Sequence, residues 1–76
     1  MSAKLPRITA RALIQALKRG GWYEARQSGG HIIFRHPTKS GRAVVPNHAG
    51  ETMKAGTLAG ILHDAGLSVE ELVDLL

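Results

Sequence analysis

The stretch Gln27-Ser28-Gly29-Gly30-His31-Ile32-Ile33-Phe34-Arg35-His36-Pro37 reads as a tight turn feeding a β-strand. Adjacent Gly29 and Gly30 free the backbone to take positive φ and leave little side-chain bulk around His31. Ile32 to Phe34 is apolar and β-prone, so a strand begins at the histidine and runs to His36. Side chains alternate across a strand, which puts His31, Ile33 and Arg35 on one face and Ile32 and Phe34 on the other. With the second face against a core, the first carries an imidazole and a guanidinium outward. That arrangement suits a large substrate approaching an exposed histidine.

Upstream, Trp22 to Gln27 is a second strand, rich in aromatic and alternating residues and closed by Ser28-Gly29-Gly30. Before it, Thr9 is the expected N-cap of a helix from Ala10 through Arg19, with Leu13, Ile14 and Leu17 on one side. Gly20-Gly21 ends that helix, and Lys18 and Arg19 suit the negative end of its dipole. Met1 to Ile8 is a lead-in segment.

Downstream, Pro37-Thr38-Lys39-Ser40-Gly41 is a turn, followed by a third strand from Arg42 to Val45 that Pro46 stops. Both connections are short enough for antiparallel hairpins. Asn47 to Glu51 is a loop leading to a helix from Thr57 to Ala65, with Leu58, Ile61 and Leu62 apolar and Gly66 as its stop. Ser68 and Glu71 form a capping box for an additional C-terminal helix, Val69 to Leu76. The order predicts an α+β fold, α-β-β-β-α with an extra helix, the helices packed on one face of a three-stranded antiparallel sheet and the other face open.

Composition sets the limits. A chain of 76 residues with one Trp, one Tyr and one Phe builds a single domain, 1–76, whose core rests on Leu, Ile, Val and Ala. A domain of this size buries only about 60% of its unfolded surface, so its stability is expected to be modest. The absence of cysteine excludes disulfide staples and the usual zinc-finger clusters. No apolar run approaches the roughly 18 residues of a membrane span, and Met-Ser-Ala-Lys-Leu-Pro lacks the apolar centre of a signal peptide. A soluble, cytoplasmic protein with no membrane partner is the expectation.

Charge is unevenly spread. All ten Lys and Arg residues lie at or before Lys54, opposed there only by Glu24 and Glu51, a net +8; Asp64, Glu70, Glu71 and Asp74 follow with no base, a net −4. The basic segment suggests a polyanionic partner such as RNA or DNA. A DNA-binding helix-turn-helix around Ala65-Gly66-Leu67 is disfavoured, because its second helix would present Glu70, Glu71 and Asp74 to phosphates. Among the other histidines, His36 is expected to hydrogen-bond in the turn, His48 to fix its loop, and His63 to be exposed. Four histidines without acids or cysteines at ligand spacing argue against a metal, and Trp22 is expected in the core.

The chain carries, in order, Gly21-Trp22, Gly29-Gly30-His31 and Phe34-Arg35-His36-Pro37, then Val45-Pro46, His48 and Gly50, then Gly56-Thr57-Leu58, Ile61-Leu62 and Ala65-Gly66-Leu67-Ser68. Through these motifs the run from Trp22 through Ser68 resembles the HicA family of bacterial and archaeal toxins. Gly30 and Ile32 stand where members commonly have Ser and often a second His. The resemblance implies a double-stranded-RNA-binding-domain-like fold, cleavage of mRNA, a HicB-like antitoxin partner and no cofactor.

Cleavage of RNA without a metal needs a base to take the proton from a ribose 2′-hydroxyl, and imidazole exchanges protons near neutral pH. His31 is the candidate. Arg35, on the same strand face, is the local choice to stabilise charge accumulating at phosphorus. Arg26, Lys39 and Arg42 are candidates to hold flanking phosphates. The alternatives are a non-catalytic RNA-binding module on the same fold and a subunit whose basic surface meets an acidic protein.

Overall fold

The computed structural model describes residues 4–76, so the Met1–Ala3 part of the lead-in segment lies outside the described residues. Six elements follow in order: α1 (Ala10–Arg19), β1 (Tyr23–Ser28), β2 (His31–Arg35), β3 (Arg42–Pro46), α2 (Ala55–Ala65) and α3 (Val69–Leu75). The strands form one antiparallel sheet in the order β1-β2-β3, with the histidine-bearing strand at its centre. Helices cover one face of that sheet and leave the other open, as the order of elements predicts.

Thr9 caps α1, its Oγ1 accepting the Ala12 N–H at 3.1 Å. At the other end of the helix the Trp22 N–H donates to the Leu17 carbonyl at 3.0 Å. Trp22 therefore stays out of the ladder, and β1 begins one residue later than its sequence pattern suggests. Its indole is buried, as expected.

β2 likewise ends at Arg35 and not at His36. The His36 ring turns inward and stands edge-on to Trp22 at 5.3 Å between centroids. Its Nδ1 accepts the Thr38 N–H at 3.2 Å, which leaves Nε2 to donate to the Gly20 carbonyl at 3.0 Å. The turn role expected of His36 is present, and it also ties the end of α1 to the end of β2.

β3 includes Pro46, opposite His31. As the last residue of an edge strand, proline can end the pairing there without breaking a central ladder. α2 begins at Ala55, two residues before the expected Thr57, with extended Lys54 as its N-cap. Gly56 falls in the first turn, where the helix-interior penalty of glycine has little force.

Phe34, Val45, Leu13, Leu17, Leu58 and Leu72 are fully buried and bring one residue or more from α1, β2, β3, α2 and α3 into a single core. α3 is fixed at both ends. Ser68 and Glu71 exchange hydrogen bonds of 3.0 Å, the Glu71 N–H donating to Ser68 Oγ and the Ser68 N–H to Glu71 Oε1. The Ser68 backbone N–H first, then its side chain and nearby Lys39, hold the Glu71 carboxyl below the usual carboxylate range. At the C-terminal end, Arg19 donates to the Leu75 carbonyl at 2.9 Å.

Gly41, just before β3, passes so close to the end of α2 that a β-carbon there would stand 2.6 Å from the Asp64 carbonyl oxygen and 3.1 Å from that of Ala65. Both are main-chain atoms that cannot rotate away. Gly41→Ala is expected to destabilise the fold by about 1–3 kcal/mol, the usual cost of overpacking, read as a lower urea midpoint. A midpoint equal to that of the parent would show that the strand and helix can part at no cost.

Candidate functional site

The ladder registers arrange the open face as a grid. His31 lies between Ser28 on β1 and Pro46 on β3; Ile33 lies between Arg26 and Val44; Arg35 lies between Tyr23 and Arg42. Facing residues of an antiparallel pair share a face, so the face carries an imidazole at one end, an apolar centre, and guanidinium groups beside and beyond it. Ile32 and Phe34 on the same strand are buried beneath it.

His31 is exposed at the first position of β2. The connection that delivers it has two residues, Ser28 pairing with His31 across Gly29 and Gly30. Gly29 takes φ +58° while Gly30 stays outside the positive region, the sign pattern of a type II′ turn, in which glycine is needed only at the first central position. Gly30 instead lies in open space, with no atom within 4 Å of where a β-carbon would sit. Only one of the two glycines is therefore needed for backbone conformation; the other leaves the approach to His31 bare.

The turn is held from the far side. The Asn47 N–H donates to the Gly30 carbonyl at 2.6 Å, so the loop after β3 grips the residue preceding His31. That loop is tied to α1, the Arg11 N–H donating to the Ala49 carbonyl at 3.1 Å and the Ala10 N–H to that of Glu51 at 3.3 Å. His48 sits in the loop with its side chain exposed, and the hydrogen bonds that fix it there are main-chain ones, to Pro46 and Glu51.

Register ranks the cations by distance from His31. Arg26 is its diagonal neighbour across β1 and β2, about 7–8 Å away between backbone positions. Arg35 lies four residues along the strand, about 13 Å at the usual rise, with Arg42 beside it. None of these three arginines is ion-paired among the described residues, where the ion pairs are Lys39–Glu71 and His63–Asp64. Lys39 is placed differently. Its Nζ lies 3.8 Å from Glu71 Oε2 on α3, so it turns toward the helical layer.

Arg26 thus stands closer to the histidine than Arg35, because the β1–β2 hairpin folds it back alongside. Ala25 is the extra residue of a β-bulge between Glu24 and Arg26, and the bulge sets which β1 side chains face outward. Tyr23 escaped the sequence reading altogether. The signal was present in the inward-facing Trp22, since alternation sends the next residue out. His63 is exposed, as expected.

Chemically, the face pairs one exposed imidazole with arginines that make no ion pair among the described residues, around a half-buried apolar centre of Ile33 and Val44. The described residues contain no group of three or more His, Cys, Asp or Glu side chains placed to hold a metal. No helix among them is long and apolar enough to cross a membrane. The model of a protein family described as the HicA toxin of bacterial toxin–antitoxin systems matches residues 10–67, from the start of α1 to just beyond α2. The match includes every residue of the grid and stops short of α3. Comparison with curated proteins gives no match.

Proposed function

The chain belongs to the HicA toxin family of bacterial toxin–antitoxin systems, and on that premise we propose that it is an endoribonuclease that cleaves mRNA with His31 as general base. The observation that carries this reading is the exposed His31 on an open sheet face that also holds three arginines with no ion pair among the described residues. His31 takes the proton from a ribose 2′-hydroxyl, and the oxygen attacks the adjacent phosphorus. The P–O bond to the following 5′-oxygen breaks as the 2′,3′-cyclic phosphate closes, and that oxygen leaves as a hydroxyl with a proton taken from water.

Arg26, the nearest guanidinium by register, and Arg35, along the strand, face the negative charge that grows on the phosphoryl oxygens. Arg42 holds the flanking backbone, and Lys39 joins it only by leaving Glu71. The base is a side chain and arginines meet the growing charge, so this route calls for no metal. A HicB-like antitoxin neutralises the toxin by covering His31 and the basic face.

The products test the chemistry. End-labelled RNA incubated with the protein in EDTA is expected to yield fragments ending in a 2′,3′-cyclic phosphate, with 5′-hydroxyl partners. Fragments with 5′-phosphate ends, or cleavage abolished by EDTA, would exclude attack by the 2′-hydroxyl. The second reading, a module that binds RNA without cutting it, draws on the same arginines, and the product assay separates the two.

A further inference from the structure

We propose that Tyr23 is a stacking platform for an unpaired nucleobase, so that the strand lying across the open face is single-stranded at the Arg35 end. The proposal rests on the RNA reading above and adds the conformation of the substrate and the residue that selects it. Tyr23 faces Arg35 in the ladder and so shares the outer face with His31, Arg26, Arg35 and Arg42. It is half exposed, at 51%, whereas the other two aromatic rings of the Phe, Trp and Tyr set, Trp22 and Phe34, are in the core. The other large exposed apolar side chains, Val73 and Leu76, belong to the C-terminal helical region and not to this face.

An aromatic ring in a row with two arginines matches the two parts of a single-stranded nucleic acid. The guanidinium groups meet phosphates, and the ring meets the flat face of a base, which every base offers. An A-form duplex keeps its bases stacked inside and presents backbone and 2′-hydroxyls at the wide groove, leaving the Tyr23 ring nothing flat to cover. Stacking at the Arg35 row, about 13 Å from His31 along β2, holds a nucleotide away from the one being cut. It therefore governs affinity and leaves the reacting atoms untouched.

The test uses an oligonucleotide with 2′-fluoro sugars, which lacks the attacking hydroxyl and stays intact. Dissociation constants are measured for the single strand, its duplex, and single strands with one abasic residue moved along the sequence, against the parent protein, Tyr23→Phe and Tyr23→Ala. Tyr23→Ala is expected to bind the single strand about tenfold more weakly, with Tyr23→Phe unchanged. One abasic position is expected to weaken binding by the parent by a similar factor and to cost Tyr23→Ala nothing further. A purely structural tyrosine could not produce that cancellation.

Single-strand binding by Tyr23→Ala equal to the parent, an abasic penalty that persists in that variant, or a duplex held as tightly as the single strand would each overturn the proposal while leaving RNA binding intact. Failure of the parent to bind any of these oligonucleotides would overturn the RNA reading itself, and this proposal with it.

Discussion

His31→Ala is expected to slow RNA cleavage by about 10²- to 10⁴-fold, the usual contribution of a positioned general base, with RNA affinity nearly unchanged. The separation of the two quantities follows from the geometry. His31 is exposed, so removing its ring opens no cavity and leaves the packed Ile32 and Phe34 beneath it in place. The arginines proposed to bind phosphate, Arg26, Arg35 and Arg42, keep their places in the ladder when the His31 ring is removed. Single-turnover cleavage and equilibrium binding on the same RNA measure both. Equal cleavage by parent and variant would remove His31 from the mechanism. Binding by both proteins with cleavage by neither would replace the enzyme with the RNA-binding module.

Phe34→Ala is expected to cost about 3–5 kcal/mol of stability, the range for truncating a buried aromatic side chain. For a 76-residue chain the total is about 4–11 kcal/mol at the typical value per residue. The variant should therefore be largely unfolded or show a sharply lowered urea midpoint. Phe34 is fully buried on the central strand, between β1 and β3 and beneath the helices, with Glu24 and Ala43 as its ladder partners. Phe34→Leu retains most of the apolar volume and should lose much less. A Phe34→Ala protein that unfolds within about 1 kcal/mol of the parent would mean that the core closes over the gap, against the close packing of protein interiors. Because His31 stands three residues away on the same strand, the fold and the site are expected to fail together in this variant.

Much of the architecture was legible because local rules agreed with one another. Thr9, Ser68 and Glu71 cap helices where their side chains predict, and the alternation from His31 to Arg35 assigns inner and outer faces correctly. Two strand ends lie where they do because groups outside the strand take the terminal residue. Trp22 gives its N–H to Leu17, and His36 gives its ring to Gly20 and Thr38. None of these three partners lies in the strand whose boundary it moves.

By itself, the sequence determined the periodicity, the turns, the caps, the family motifs and the presence of a histidine on an open sheet face. Those properties depend on neighbours within a few residues, and hydrophobic pattern and backbone preference encode them directly. Only the tertiary structure decided which cations stand beside that histidine. Arg26 comes alongside through hairpin register and a bulge at Ala25, Lys39 turns away to Glu71, and Tyr23 joins the face through pairing with Arg35. Proximity across strands is set by register, and a shift of one residue sends a side chain to the opposite face.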